Sequence, residues 1–371
     1  MKILYVCPKI GNNNFGGEKL CIDLANHFHD EWLEIWIAAQ FENWYNQHIN
    51  VWIKTYNLSR YNHKRWRKLF YDYFHPVNYL SFKKAIQEFK PDIVHFHNVY
   101  WIWSYLVKLA SSYSKVIATA HDYFLLDYQW FKIKTDGQIA RIPILSWLHK
   151  KIIYYFYKTV TIIAPSHFLH EKLIQRWFSN VVQIYNWINL NNDIKSITSE
   201  RAHNILWVWN IYDIKWLHIV LPTVDKFTQA NPHFKFLIVW DWVMRAELQT
   251  KFPLPSREGF QNPDPYYEKC WILIFSSICF ENQPYVVCEA MAKGLCVIRN
   301  NIWSAKEMFE DWKSGLLYNS QEDLLQILDK IAVWEIDIKD ISKNAIKFAQ
   351  TNYNIEHMFT DYLVLYQNIF Q

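Results

Sequence analysis

Two glutamates separated by seven residues form the pair in this chain with the clearest chemical meaning. Glu281 follows a short apolar run, and Glu289 lies on a helical pattern that begins near Pro284. Proline suits the first turn of a helix, and the N–H groups of that turn favour an anion such as a phosphate. Carboxylates beside such a helix start can accept hydrogen bonds from sugar hydroxyls. The same spacing also fits solvent-facing glutamates on a core helix, so spacing alone leaves both interpretations open.

Histidines form a second group of candidates because they follow predicted strands. His121 comes directly after the apolar run at 115–120, and His95 and His97 end the run at 91–97. A histidine in this place can orient a reacting group, although a lone one is more often structural. The sequence offers His95 and His97 no third metal ligand, and it contains no Asp-x-Asp pair, so we predict no bound metal.

Gly16 and Gly17 precede a helical pattern near the start of the chain. Glycines let the backbone approach a ligand closely, and a helix start favours an anion. The dinucleotide fingerprint G-x-G-x-x-G is absent, which argues against a dehydrogenase.

These residues are placed by apolar runs of strand length that alternate with helical patterns. The strands are predicted at 2–6, 33–39, 91–97, 115–120 and 160–164, then at 205–208, 234–239, 272–275 and 295–299. A polar loop is predicted at 8–17, and the clearest helices are predicted at 18–29, 217–229, 285–293, 321–332, 341–350 and 355–369. Such alternation predicts an α/β fold with two Rossmann-like, doubly wound parallel-sheet domains, which bind ligands beyond the carboxyl ends of their strands. An asparagine-rich linker is predicted at 188–204.

Composition narrows the function classes. The 371 residues suit two domains, and the net charge of +4 suits an anionic surface without demanding nucleic acid. The six cysteines form no CxxC pair and are typical of reduced cytoplasmic thiols. The sequence shows no signal peptide and no apolar run of membrane-spanning length, so we expect a cytoplasmic protein.

Tryptophan and glycine counts are unusual: the chain has 20 Trp and 7 Gly. Average usage predicts roughly 26 glycines, and several tryptophans stand where glycine is expected in turns. These are Trp177, Trp187, Trp209, Trp216, Trp240, Trp242, Trp303 and Trp312. Some bacterial lineages read the codon UGA as glycine and others read it as tryptophan. We hypothesise that many of these tryptophans are glycine in the native protein; the alternative is a chain that is simply rich in tryptophan.

The segment 275–294 resembles the E-x7-E signature of glycosyltransferase family 4, and the similarity covers most of the chain. It implies the GT-B fold with an interdomain cleft, a retaining transferase without a bound metal, and no cofactor besides a nucleotide-diphosphate sugar as donor substrate. By this resemblance Glu289 holds the ribose, Glu281 contacts the transferred sugar, and His121 lies near the donor sugar. The implied donor site also contains Asn282, Pro284, Tyr285, Gly16 and Gly17.

A loop at 209–216 resembles the family's diphosphate clamp, which usually has an arginine and a lysine. Lys215 matches the lysine, whereas Asn210 occupies the arginine position. Cations there stabilise the negative charge of the leaving group. Asparagine brings no charge, so either the clamp is weaker or another cation helps.

The predicted domains are an acceptor-binding domain at 1–190, a nucleotide-sugar domain at 191–352 and a last helix at 353–371 that packs back on the first domain. Basic-aromatic segments at 60–74 and 147–158 fit a solvated face with its aromatics in the core, which is the commoner arrangement, or the surface of an anionic membrane. Because the resemblance places acceptor binding in this half, we favour a glycan or lipid-linked acceptor and peripheral contact with the inner face of a membrane. We therefore predict a role in cell-surface polysaccharide or glycolipid synthesis, and no nucleic-acid partner is expected. Two alternatives remain: a non-catalytic GT-B protein that binds a glycan or nucleotide, and a basic membrane- or nucleic-acid-binding protein.

Overall fold

The computed structural model describes most of the chain as two compact units. The described residues are 1–11, 16–41, 49–58, 76–97, 104–127, 143–187, 203–208, 217–239, 256–257, 263–277 and 281–371. The first unit comprises Met1–Lys132, Ile139–Asn186 and Glu356–Gln371, and the second comprises Ile133–Gln138 and Trp187–Ile355. The predicted linker lies largely outside the described residues, so the predicted domain boundaries stay predictions.

The first unit contains a seven-stranded sheet in which every described pairing is parallel. Its strands are β1 (Lys2–Ile10), β2 (Glu34–Phe41), β3 (Lys54–Asn57), β4 (Ile93–His97), β5 (Lys115–Thr119), β6 (Thr161–Ala164) and β7 (Val181–Gln183). The strand order is β3-β2-β1-β4-β5-β6-β7. Its helices are α1 (Gly17–Asp30), α2 (Pro76–Phe89), α3 (Ser104–Ala110), α4 (Pro143–Tyr157), α5 (His167–Ile174) and, from the end of the chain, α11 (Ile355–Phe370).

The second unit repeats the architecture with six parallel strands. They are β8 (Asn204–Val208), β9 (Lys235–Val239), β10 (Ser256–Arg257), β11 (Ile272–Phe275), β12 (Cys296–Asn300) and β13 (Leu316–Tyr318), in the order β10-β9-β8-β11-β12-β13. The helices are α6 (Leu217–Ala230), α7 (Asp264–Tyr267), α8 (Tyr285–Ala292), α9 (Gln321–Ala332) and α10 (Ile338–Asn352), with a 3₁₀ turn at Trp303–Glu307. The predicted α/β class with two parallel sheets is therefore confirmed.

Burial explains why the central strands were predicted and the edge strands were not. All four residues of β11 are buried, as are all five of β4, because helices cover both faces of a parallel sheet. The strands that the sequence missed are β3, β7, β10 and β13, each two to four residues long. Each of them lies at an edge of its sheet. Such short strands leave too few residues for a hydrophobic period to be recognised.

The prediction that a loop begins at residue 8 is wrong. Strand β1 continues to Ile10, and its register with β2 shifts between Cys7 and Lys9. Pro8 lacks the N–H that a ladder needs, which accounts for an irregularity at this point. Pairing then resumes, because Lys9 lies opposite Gln40.

Helix C-termini show where a glycine-type backbone is required. Gly294 follows the last turn of α8 and has a φ of +74°; Leu295 N donates to Ala290 O, and Gly294 N donates to Met291 O. This pair of bonds is the Schellman motif, in which a left-handed residue, usually glycine, follows the helix. The same two bonds close the ends of α1, α5 and α9, with Trp32, Trp177 and Trp334 in the glycine position.

Four of the five non-glycine residues with positive φ in the described part of the chain are tryptophans; Lys90 is the fifth. They are Trp32, Trp177, Trp312 and Trp334, with φ of 61° to 71°, and each is more than half exposed. The left-handed region is costly for residues with a Cβ, and an exposed indole recovers little of that cost by packing. The glycine-type conformation expected at Trp177 and Trp312 is confirmed. Trp187 is buried and has no positive φ, so its backbone does not call for glycine.

Candidate active site

At the carboxyl edge of the first sheet, the start of α1 meets the residue that follows β5. Gly16 is the N-cap of α1 with φ of +55°. A Cβ added to Gly17 would lie 2.6 Å from His121 Cδ2, far inside any normal contact. Only glycine therefore allows the His121 ring to lie where it does. The structure thus brings together two predicted site residues that are more than 100 positions apart in the chain.

His121 belongs to a group of neutral imidazoles. His97 Nδ1 and His121 Nε2 are 3.3 Å apart, and the two rings are nearly parallel. Burial lowers the pKa of His121 to about 4, and burial together with the neighbouring histidines lowers the pKa of His97 well below its usual value. Both rings are therefore uncharged at neutral pH.

Two half-buried carboxyl groups follow the contacting residues in sequence, Glu18 after Gly17 and Asp122 after His121. Burial raises the pKa of Glu18 to about 7, opposed by a hydrogen bond to its own backbone N–H and by the charge of Lys9. Burial also raises the pKa of Asp122 to about 7, although Phe124 N donates to its Oδ1 at 2.8 Å. This edge of the first sheet therefore disfavours fixed charge on its own side chains.

Beneath the edge, tyrosines of α11 are hydrogen-bonded to the sheet. Tyr366 Oη lies 2.7 Å from His95 Nδ1 and 3.0 Å from Tyr5 Oη. His95 Nε2 lies 2.8 Å from Thr119 Oγ1, which lies 3.3 Å from Tyr362 Oη. All five side chains are buried. Helix α11 is thus joined to β1, β4 and β5 by one continuous polar chain.

At the carboxyl edge of the second sheet, a loop between β11 and α8 carries the first glutamate. Ser277 Oγ donates to Glu281 Oε1 at 3.0 Å. Asn300, at the end of β12, donates through Nδ2 to Ser277 O at 2.8 Å and accepts from Ser277 N at 3.3 Å. The Ser304 hydroxyl donates to Glu281 O at 2.5 Å and also contacts Asn282 O. The backbone at Ser277, Glu281 and Asn282 is therefore hydrogen-bonded within the protein before any ligand arrives.

The second glutamate lies on α8 itself. Tyr267, which is fully buried on α7, donates its hydroxyl hydrogen to Glu289 Oε2 at 3.2 Å. Burial and the charge of Glu289 raise the pKa of Tyr267 well above its ordinary value. Because Tyr267 keeps its proton, it remains a donor to the carboxylate and limits the rotamers of Glu289.

The described helices differ in whether a side chain caps their first turn. α5, α9 and α10 begin with Ser166, Ser320 and Asp337, whose side chains accept from first-turn N–H groups. α1 and α8 begin with Gly16 and Pro284, which supply no side-chain cap. The short helix α7 also begins without a side-chain cap, at Pro263. A ligand anion suits a helix start whose N–H groups have no side-chain oxygen to accept from them.

Comparison with known families decides the class of protein. A model described as Glycosyltransferase Family 4 matches residues 16–192, and one described as Glycosyl transferases group 1 matches residues 202–333. The two matches together take in most of the chain, each centred on one sheet. The chain is a GT-B glycosyltransferase of the family 4 type.

Solved structures agree with this glycosyltransferase in fold. Anabaena HepE in complex with UDP has a TM-score of 0.75 at 16% identity, over 99% of this chain and 100% of that one. The sucrose-phosphate synthase of Thermosynechococcus elongatus also has a TM-score of 0.75, at 15% identity, over 100% and 99% of the two chains. A Klebsiella pneumoniae protein described as an uncharacterized 42.6 kDa protein in the cps region is 24% identical over 77% of this chain and 74% of its own.

The predicted donor residues fall in three groups, of which Gly16 and Gly17 form one at the start of α1 in the first unit. Glu281, Asn282, Pro284, Tyr285 and Glu289 lie together around the start of α8, where Asn282 is buried. Lys215 and Asn210 lie outside the described residues, so the proposed diphosphate clamp of the glycosyltransferase stays a prediction. Among the described residues, no group of three His, Cys, Asp or Glu side chains is arranged to hold a metal ion. Within the same part of the chain, every helix is too short or too polar to cross a membrane.

Sequence reasoning missed Arg299, which lies near the carboxyl end of β12. It is the one buried lysine or arginine in the described part of the chain, and its guanidinium lies 5.3 Å from the centre of the Phe275 ring. An arginine inside the apolar run 296–300 was the available signal, because a buried cation needs a functional or structural partner. Its neighbour Asn300 holds the backbone of Ser277, whose hydroxyl donates to Glu281.

Proposed function

We propose that this glycosyltransferase transfers a sugar from a uridine-diphosphate sugar to a glycan or lipid-linked acceptor, with retention of configuration, in the synthesis of a cell-surface polysaccharide. Its fold relatives include Anabaena HepE, solved in complexes with UDP and with UDP-glucose. The Klebsiella relative named for a cps region supports a polysaccharide product.

The observation that carries the proposal is the set of hydrogen bonds that holds Glu281 beside the start of α8. Glu281 is oriented by Ser277, and its backbone is held by Ser304. A carboxylate in this place accepts hydrogen bonds from sugar hydroxyls, and the helix start beside it favours a phosphate. Because the Glu281 carboxylate is already held in place, little side-chain entropy is lost when the nucleotide sugar binds.

The charge of the leaving diphosphate needs cations in place of a metal. Lys215 supplies one by resemblance, and Asn210 supplies none. We propose Arg299 as the additional cation, because it is buried at the same sheet edge as Glu281. A guanidinium in a low-dielectric site interacts strongly with an anion, since water does not screen it.

A donor screen tests this function. Assays compare two proteins: the chain with all its tryptophans, and a glycine form. The glycine form has glycine in place of Trp32, Trp177, Trp209, Trp216, Trp240, Trp242, Trp303, Trp312 and Trp334. The glycine form is expected to release UDP from one UDP-sugar faster than from ADP- or GDP-sugars, and to give an α-linked product from an α-linked donor by NMR. A purified, folded glycine form that binds UDP but turns over no nucleotide sugar would contradict the proposal.

A surface on α4 supports contact with an anionic membrane. Exposed apolar side chains recur on one side of this helix at Ile144, Trp147, Leu148 and Tyr154, while its other side is buried in the first unit. Lys151 is exposed among them. A helix with an apolar stripe and cations binds at the headgroup boundary of anionic bilayers. The other basic-aromatic segment, 60–74, lies outside the described residues.

We propose that this stripe holds the enzyme at the cytoplasmic face of the membrane, where a lipid-linked acceptor is presented. Co-sedimentation with phosphatidylglycerol vesicles is expected, weakened by salt and absent with pure phosphatidylcholine. Ile144→Ser with Leu148→Ser, or Lys151→Glu, reduces the bound fraction. Val364→Ser, at an exposed position of α11, is the control. Equal binding by all these variants, or salt-sensitive binding to polynucleotide in place of vesicles, would contradict membrane contact.

A further inference from the structure

The buried polar chain beneath the first sheet edge connects α11 to the candidate catalytic histidine. His95 uses both ring nitrogens, one with Tyr366 and one with Thr119. Burial, together with the nearby His121, lowers the pKa of His95 well below its usual value, so the ring is neutral. A neutral imidazole has one N–H and one lone pair, so one of the two hydroxyls donates to it and the other accepts. The tautomer of His95 is therefore set by its neighbours.

His97 lies between this chain and His121. Its ring centre is 4.2 Å from that of His95 and 5.6 Å from that of Tyr5. These packed rings leave His97 little room to rotate. Its Nδ1 is the atom that meets His121 Nε2. Whatever fixes His95 and Tyr5 therefore fixes the neighbour that touches the candidate catalytic ring.

The direction of the His97–His121 bond follows from burial. His97 is fully buried, and its Nε2 has no hydrogen-bond partner within the described ranges. A buried donor without an acceptor is rarer in folded proteins than an acceptor with a spare lone pair. The hydrogen of His97 therefore belongs on Nδ1, where it is donated to His121 Nε2. A neutral His121 that accepts at Nε2 carries its own hydrogen on Nδ1.

We propose that Tyr366 and Thr119 are positioning residues that act through His95 and His97 to fix the ring and the tautomer of His121. This rests on the proposed role of His121 at the reacting centre. The helix that ends the chain then has a purpose besides burying apolar surface, because its Tyr366 orients a residue that follows β5. Gly17 lies against the same ring and also limits where His121 can lie.

The test combines ring NMR with kinetics in the glycine form. Long-range proton–nitrogen spectra of ¹⁵N-histidine report which nitrogen of His121 carries the hydrogen, with assignment by a His121→Asn sample. The expected result is a hydrogen on Nδ1 at pH 7.5. Tyr366→Phe and Thr119→Val keep shape but remove hydroxyls, and we expect mixed tautomers at His121 with kcat lowered about five- to tenfold and donor KM unchanged. Thr119→Ser restores the hydroxyl and both readouts.

The matched control is Tyr353→Phe. Tyr353 is buried in the second unit, and its hydroxyl donates to Met308 O. We expect this variant to lose a similar amount of stability but to keep the His121 spectrum and kcat. A hydrogen on His121 Nε2 in the glycine form without further substitution would overturn the proposal. Unchanged His121 spectra in Tyr366→Phe and Thr119→Val would also overturn it. Changed spectra with unchanged kcat would overturn the role of His121 itself, while donor turnover would still support the proposed transferase function.

Discussion

The two sheet edges are built from opposite kinds of side chain on the same architecture. The first has neutral imidazoles that hydrogen-bond to one another, a glycine packed on His121, and carboxyl groups whose pKa values are raised to about 7. The second has Glu281 and Glu289, each accepting a hydrogen bond from a hydroxyl. The first edge can position a reacting group by hydrogen bonds without adding charge. The second edge can accept hydrogen bonds from hydroxyls through its carboxylates. We propose that donor binding belongs to the second unit and positioning of the reaction to the first.

The largest effect is expected at the second edge. Glu281→Ala in the glycine form removes the carboxylate that we propose contacts the transferred sugar, and turnover should fall about 100-fold because hydrogen bonds to charged groups are strong. Steady-state release of UDP measures the change. Lys215→Ala should lower turnover by a similar factor if Lys215 binds the diphosphate. Full activity in both variants, measured beside the exposed control Glu335→Gln, would rule out this donor site.

A smaller loss is expected when the first edge is displaced. Gly17→Ala introduces a Cβ 2.6 Å from His121 Cδ2, so the ring must move. We expect kcat to fall about 30-fold with donor KM little changed, since misplacement of a reacting group by about an ångström has costs of this order. The same substitution in a His121→Asn background should cost much less, because the two changes act on one ring. Additive losses would show that Gly17 acts elsewhere.

How far the sequence predicted these edges depends on the range of the interactions. The strand 272–275 and the helix 321–332 were predicted with the bounds observed, because apolar period is a local property. Glu281 and Glu289 were found by spacing within one segment. The contact of Gly17 with His121 and the bond of Tyr366 to His95 were not predictable, because each joins residues that only the folded sheet brings together. Tyr362 and Tyr366 lie in the helix that was predicted at 355–369, but their hydroxyl partners lie more than 240 positions away.

Stability should separate the tryptophans into two classes. Trp32→Gly, Trp177→Gly and Trp334→Gly relieve positive φ at exposed helix ends, and each should add about 1 kcal/mol to the free energy of unfolding. Trp207→Gly, at a buried core position, should instead cost about 3–5 kcal/mol. Denaturant melts measure both. Loss of stability at all four sites would contradict the backbone interpretation.

The gene offers an independent test of the same division. We expect UGA codons at Trp32, Trp177, Trp312 and Trp334, and peptide masses of glycine there in protein from the native host. Gly294 is the internal reference, because it closes α8 with the same two hydrogen bonds that are found at Trp32, Trp177 and Trp334. UGG codons at the four positions would end the glycine hypothesis and leave a chain with tryptophan in strained turns.

The smallest effect concerns pH. Burial raises the pKa of Glu18 from 4.5 to about 7, so between these values the folded chain keeps a proton that the unfolded chain releases. The stabilisation from this group is complete below pH 4.5 and is lost as pH rises through 7. Glu18→Gln should therefore melt about 2–4 °C higher than the unaltered chain at pH 8.5 and show no gain at pH 4.5. The exposed Glu31→Gln is the control, and an equal gain at both pH values would refute the burial of this charge.

The division of labour between the edges is tested most directly by the affinity for UDP, which involves binding without chemistry. Calorimetry on the glycine form should show that Glu289→Gln weakens UDP about tenfold, because a ribose hydroxyl loses its charged acceptor. His121→Asn should bind UDP as tightly as the unaltered chain while its kcat falls. Unchanged affinity in Glu289→Gln, or a loss confined to His121→Asn, would contradict the assignment of the donor to the second sheet.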